Sequence, residues 1–139
     1  MSLSKTSRTR LATCHPDIVV LTEAVAEDEE VIVIEGARTL ERQKQLIKEG
    51  KSSLKKPKNG KHIVTPEKPL SDAIDMAPAP LDWKDTKRFY SFGEKVLKKA
   101  RELKDAGLIT SEFRWGGDWD RDGDYTDQRF FDLVHFERV

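Results

Sequence analysis

The run Val31-Ile32-Val33-Ile34 constrains this chain most. Four consecutive β-branched residues are stiff and apolar on both faces, which reads as a buried strand rather than an alternating, half-wet one. Gly36 breaks that strand ahead of Arg38 and Thr39, and Thr39 is suited to cap a helix that continues through Gly50. Arg38 therefore lies at a strand-to-helix junction. Upstream, Pro16 suits the first turn of a helix carrying Ile18, Val19, Leu21 and Val25. Downstream, Phe89, Phe92, Val96, Ala100 and Leu103 recur at steps of three and four between Asp85 and Gly107, which predicts the longest amphipathic helix. Pro66, Pro69, Pro78 and Pro80 keep the segment around Asp75 non-helical apart from a short strand over residues 73–76. Residues 113–115 and 131–136 read as closing strands, and residues 51–71 as a mobile loop.

A length of 139 residues predicts one domain, 1–139, with room for a single core. Lys+Arg 25 against Asp+Glu 25 leaves no net charge, so nucleic acid is a poor partner. No run approaches the roughly 20 apolar residues of a membrane span, and residues 1–11 lack the apolar stretch of a secretory signal. The expectation is a monomer made in the cytoplasm without a signal peptide and without stable membrane association. The single Cys14 excludes an internal disulfide and a Cys-rich zinc site, so a metal would be held by nitrogen and oxygen. Cys14 stands beside His15, but a small half-buried residue is the simpler account of it than a nucleophile.

Two of the three histidines sit close to acids: His62 ahead of Asp72-Ala73-Ile74-Asp75, and His135 inside Asp132-Leu133-Val134-His135-Phe136-Glu137. Two neutral imidazoles and one carboxylate suit a hydrolytic zinc ion, which needs three protein ligands and one open position. His62, Asp75 and His135 supply such a set. Asp132 stands three residues before His135, so a bend at Leu133 and Val134 would bring it to the metal as general base. Glu137, two residues beyond His135 on a strand, would share its face and orient the imidazole. Spacing alone does not decide the matter, since a lone histidine is more often a loop or core residue.

Six segments in order add to this: Leu11 with His15-Pro16-Asp17-Ile18; Glu35-Gly36-Ala37-Arg38-Thr39 with Gln43; Lys61-His62 with the string from Ser71 to Pro78; Asp82-Trp83; Phe113-Arg114-Trp115-Gly116-Gly117-Asp118-Trp119; and the string from Asp132 to Glu137. Together they resemble the M15 family of zinc peptidases, the LAS-type (D-Ala-D-Ala-metallopeptidase-like) group, which includes vancomycin-resistance D,D-peptidases and small phage L-alanyl-D-glutamate endolysins. The resemblance implies an α+β fold, a small antiparallel sheet packed by helices of the LAS/hedgehog-like kind. It implies one Zn2+ per chain on His62, Asp75 and His135, with Asp132 as base and Arg38 as partner of the carbonyl and oxyanion. Gln43 and Trp119 would stand near the substrate. Gly60 replaces the family's usual Ser, and the spacing of 13 between His62 and Asp75 is stretched by Pro66-Glu67-Lys68-Pro69, which leaves Asp72 as the alternative ligand.

The function implied is that of an endolysin cutting the L-alanyl-D-glutamate bond in the peptide stem of peptidoglycan and reaching the wall through a separate pore. The alternatives are a D,D-carboxypeptidase or dipeptidase acting on D-Ala-D-Ala, and a non-catalytic metal-binding or phage structural module. The acidic loop adds a separate question. Asp118, Asp120, Asp122 and Asp124 with Gly123 resemble the first half of an EF-hand calcium loop, but Arg129 stands where its bidentate Glu belongs. Asp127 would complete an irregular Ca2+ site; a solvated acidic turn accounts for the loop equally well.

Overall fold

The computed structural model describes residues 3–49, 61–116 and 132–139, with the side chains of Leu40, Gln43, Leu46, Ile47 and Asp132 outside that description. The elements follow as α1 (Lys5–Leu11), α2 (Pro16–Asp28), β1 (Val31–Glu35), α3 (Leu40–Lys48), β2 (Ala73–Pro78), α4 (Thr86–Asp105), β3 (Phe113–Gly116) and β4 (Asp132–Arg138). The four strands form one antiparallel sheet in the order β1-β2-β4-β3. This is the expected α+β arrangement.

The helices start and stop where local chemistry directs. His15 Nδ1 accepts the Asp17 N–H at 3.0 Å and Pro16 opens α2, so the third histidine is a cap. Thr39 Oγ1 accepts the Arg42 N–H at 3.1 Å at the head of α3. Asp85 Oδ1 does the same for Arg88 at 3.2 Å, and Gly107, at φ 77°, ends α4 in the left-handed region that favours glycine.

The sheet has two unlike faces. Ile74, Met76, Val33, Phe136 and Trp115 are fully buried against Ile18, Leu21 and Val25 of α2 and Phe92, Val96 and Ala100 of α4. Strand side chains alternate, so Asp75 and His135, which are direct cross-strand partners, project from the other face.

Helix α1 was not expected from the sequence, and it has a definite task. β1 is an edge strand, and an edge presents unpaired backbone groups that a neighbouring chain could take. Ser7 Oγ accepts the Val33 N–H at 3.0 Å and Arg10 Nη1 donates to the Val33 carbonyl at 2.9 Å, so α1 satisfies that edge with side chains.

Two irregularities bend the sheet beside the Asp75–His135 pair. On β1 the register passes from Val33↔Met76 to Glu35↔Asp75, which leaves Ile34 as the extra residue of a bulge. On β4, Phe136 pairs with Trp115 and Asp132 with Gly116, so residues 133–135 bow out between two adjacent positions of β3. The bend anticipated at Leu133 and Val134 corresponds to this second irregularity, and Trp115 Nε1 pins it by donating to the Leu133 carbonyl at 2.9 Å.

Candidate metal centre

His62 comes from the segment between α3 and β2, which lies alongside residues 36–38. The Arg38 N–H donates to the His62 carbonyl at 2.7 Å, and the Val64 N–H to the Arg38 carbonyl at 3.1 Å. This bridge carries His62 over the sheet face that bears Asp75 and His135. The Ser71 N–H and Asp72 N–H in turn donate to the carbonyls of Thr13 and Lys61, at 2.9 and 3.0 Å, and fix the far end of the segment.

Three atoms converge. His62 Nε2 stands 3.1 Å from Asp75 Oδ1 and 3.1 Å from His135 Nδ1, and His135 Nδ1 stands 3.2 Å from Asp75 Oδ1. Donors about 2 Å from a tetrahedral ion stand roughly 3.3 Å from one another, so the set has the spacing of three ligands around one cation. Among the described residues it is the one group of histidine, cysteine and acid side chains with that geometry.

The outer nitrogens decide what the inner ones offer. His62 Nδ1 lies 2.7 Å from the Gly36 carbonyl, which can only accept, so Nδ1 carries the proton and Nε2 presents a lone pair. His135 Nε2 lies 2.8 Å from Glu137 Oε1, so the same logic leaves Nδ1 unprotonated. Burial works against ionisation of Glu137, but hydrogen bonding to His135 and the charges of His135 and Arg114 outweigh it and hold its carboxyl below the usual carboxylate range. Desolvation raises Asp75, and it is protonated imidazoles, donating to it from His135 and His62 and carrying charge, that outweigh burial and lower its carboxyl well below the usual carboxylate range. With those protons gone, two imidazole lone pairs and a carboxylate oxygen face one another, buried or nearly so. Such a cluster is unfavourable unless a proton or a cation sits within it, and the donor types fit a zinc-class ion.

The other expected residues are distributed as follows. Asp72, the alternative ligand, is turned away into an ion pair with Arg138, whose Nε donates to Ser111 Oγ at 2.7 Å; Asp75 is the acid beside the imidazoles. Glu137 meets His135 as expected, and its second oxygen takes Arg114 Nη2 at 2.9 Å, a contact the sequence reading missed. Arg38 forms a two-point pair with Glu35, Nε to Oε1 at 3.0 Å and Nη2 to Oε2 at 2.7 Å. The Gly36 carbonyl was also missed, although Glu35 and Gly36 lie in a segment that carried the resemblance. The backbone of Asp132 opposes Gly116 in the register, while its side chain, that of Gln43, and Trp119, Asp118, Asp120, Asp122, Asp124 and Asp127 lie outside the described residues. Cys14 is buried, and desolvation pushes its thiol up to about 11, which removes it as a nucleophile at neutral pH.

A two-faced antiparallel sheet with a His/Asp/His group that could hold a cation on the face opposite its main core is the kind of site used by single-metal hydrolases. Comparison with known proteins narrows this. The family of phage L-alanyl-D-glutamate peptidases matches the chain over residues 1–139, and the chain belongs to that family. The L-alanyl-D-glutamate peptidase of Escherichia phage T5 is 34% identical over 129 residues, covering 89% of this chain and 85% of its own length. The crystal structure of the Serratia marcescens L-Ala D-Glu endopeptidase ChiX shares the fold, with a TM-score of 0.65 at 20% identity over 100% of this chain and 90% of that one.

Proposed function

We propose that this protein is a zinc-dependent peptidoglycan hydrolase that cuts the L-alanyl-D-glutamate bond of the stem peptide. The observation that carries the metal part is the convergence of three lone pairs with their outer nitrogens already committed. Membership of the family of phage L-alanyl-D-glutamate peptidases carries the bond and the substrate.

His62, Asp75 and His135 would hold one zinc per chain. When bound, that ion supplies a Lewis acid for the scissile carbonyl and an acidified water. The remaining work falls to the chain. Asp132 takes the proton of the attacking water and returns it to the leaving amine, as a carboxylate three residues from a ligand can when β4 bows between them. Arg38 donates to the negative charge that develops on the carbonyl oxygen. Gly36 and Glu137 hold the two rings in the tautomers that keep their inner nitrogens open. The protein acts as a monomer in this reading and reaches the wall through a pore made by another protein.

The decisive experiment is digestion of purified murein by the zinc-loaded protein and its Asp132→Ala variant, with mass analysis of the new termini. The parent is expected to release alanine carboxyl and glutamate amino termini, and Asp132→Ala to lose lysis while keeping about one zinc per chain. Release of free D-alanine instead identifies a D,D-peptidase. An Asp132→Ala variant that still lyses removes that residue from the reaction. Titration of the same assay with calcium against magnesium tests the acidic loop: identical curves exclude a calcium site that acts on activity.

A further inference from the structure

Arg38 sits where β1 gives way to α3, and its guanidinium is tied to a residue that the regular pleat would have pointed elsewhere. After Val33 pairs with Met76, an unbroken ladder would bring Ile34 opposite Asp75. The bulge brings Glu35 there instead. Directly paired residues project from the same side of a sheet, and a bulge re-aims the side chain that follows it. Glu35 is thereby turned to the face that carries Asp75 and His135. Its carboxylate takes both Nε and Nη2 of Arg38, at 3.0 and 2.7 Å.

Stability does not account for this arrangement. Glutamate is a poor strand former and a bulge gives up a ladder hydrogen bond, so the strand itself gains nothing from carrying this residue here. What the pair does achieve is orientation. A two-point Arg–carboxylate contact fixes the plane of the guanidinium as well as its position. The Arg38 backbone is also held at both ends, its N–H on the His62 carbonyl and its carbonyl on the Val64 N–H. Side chain and main chain of Arg38 are thus both locked to elements of the metal cradle.

The geometry points to Glu35 as a positioning residue for the hydrolysis, one that sets the plane in which the Arg38 donors meet the substrate carbonyl. This rests on the reading of Arg38 as the carbonyl partner, and it goes further by naming what makes that arginine effective. Preorganised donors act only where they are already aimed, and a displacement of about 1 Å costs up to about 100-fold in rate.

The test is a double-mutant cycle on the full, zinc-loaded chain with a soluble L-alanyl-D-glutamyl stem peptide, comparing Glu35→Ala, Arg38→Ala and the double variant. Arg38→Ala is expected to lower kcat on the order of 100-fold, the loss typical of a removed oxyanion donor. Glu35→Ala is expected to lower kcat about tenfold with KM within about twofold and with zinc content and melting unchanged. In the Arg38→Ala background the loss of Glu35 is expected to cost nothing more, because the residue acts through the arginine. Glu35→Gln keeps the side-chain shape and one hydrogen bond, so it should recover part of kcat, and it carries the test if Glu35→Ala does not fold. A Glu35 variant with full kcat, or one whose loss multiplies unchanged onto Arg38→Ala, overturns the positioning role. Full activity in Arg38→Ala identifies the assignment of Arg38 itself as the error.

Discussion

Glu137→Gln isolates what one proton does for the metal cradle. The side chain is 7% exposed, and Oε1 lies 2.8 Å from His135 Nε2. A carboxylate there can only accept, so it draws the imidazole proton to Nε2 and leaves Nδ1 open beside His62 Nε2 and Asp75 Oδ1. The glutamine amide has the same shape but can turn its NH2 toward Nε2, which favours the tautomer with the proton on Nδ1, inside the cradle. Binding an ion then requires moving that proton first. Loss of such a partner typically lowers metal affinity 10- to 100-fold, or about 1.4–2.7 kcal/mol. The competing effect is loss of the Arg114 pair on Oε2, but Arg114 is 39% exposed and a contact of that kind contributes under about 1 kcal/mol. Competition against a chromophoric chelator measures zinc affinity directly, with Arg114→Ala as the control for the lost ion pair. Glu137→Gln is expected to weaken zinc by at least about tenfold and Arg114→Ala by much less. If Glu137→Gln binds zinc like the parent, or if Arg114→Ala weakens it equally, the tautomer argument is wrong.

Two further outcomes follow from residues that brace the site. Gly36→Ala places a Cβ 2.4 Å from Thr13 Oγ1 and 2.5 Å from the Arg10 carbonyl, so it should cost about 1–3 kcal/mol in denaturant unfolding and, by moving the carbonyl that orients His62, also weaken zinc; parental behaviour in both measurements would show that the close approach is not needed. Asp17 Oδ2 accepts from Thr110 and Ser111 through two backbone N–H groups and two hydroxyls at 2.6–3.2 Å, and Asp17→Ala strands those N–H groups at a cost of about 2–3 kcal/mol. Burial raises its carboxyl, but the Ser111 and Thr110 donors prevail and lower it, so this stabilisation is complete above the unfolded value near about 3.9 and fades as pH falls through the lower folded value. Chemical denaturation from pH 7 down to pH 2 should show that acid-side loss in the parent and a smaller one in Asp17→Asn.

Much of this architecture was legible because it rests on local rules. The β-branched run at Val31 forms β1, Pro16, Thr39 and Asp85 open helices, and Gly107 closes one. Asp75 could be chosen over Asp72 on the same kind of ground. If Ile74 and Met76 face the core, alternation turns Asp75 outward, toward the side on which His135 emerges. Helix α1 escaped notice because it is seven residues long and mostly polar, and its purpose, satisfying Val33 at the sheet edge, exists only once the sheet does. The pairings of Arg38 with Glu35 and of Glu137 with Arg114 were hidden for a related reason. The register of a ladder and the places where it slips are settled by fit between strands distant in sequence, and no single strand records them. That limit bears on function, because both slips flank the Asp75–His135 pair. Regular strands would offer this face of the sheet a flat, alternating row of side chains. The bulge at Ile34 turns Glu35 toward the Asp75–His135 pair, and the bow at residues 133–135 brings the Asp132 backbone opposite Gly116. Regular alternation therefore sets Asp75 and Glu137 on the face they share with His135, while Glu35 and Asp132 take their places from breaks in the strand pattern, which is why motif and geometry were both needed to find them.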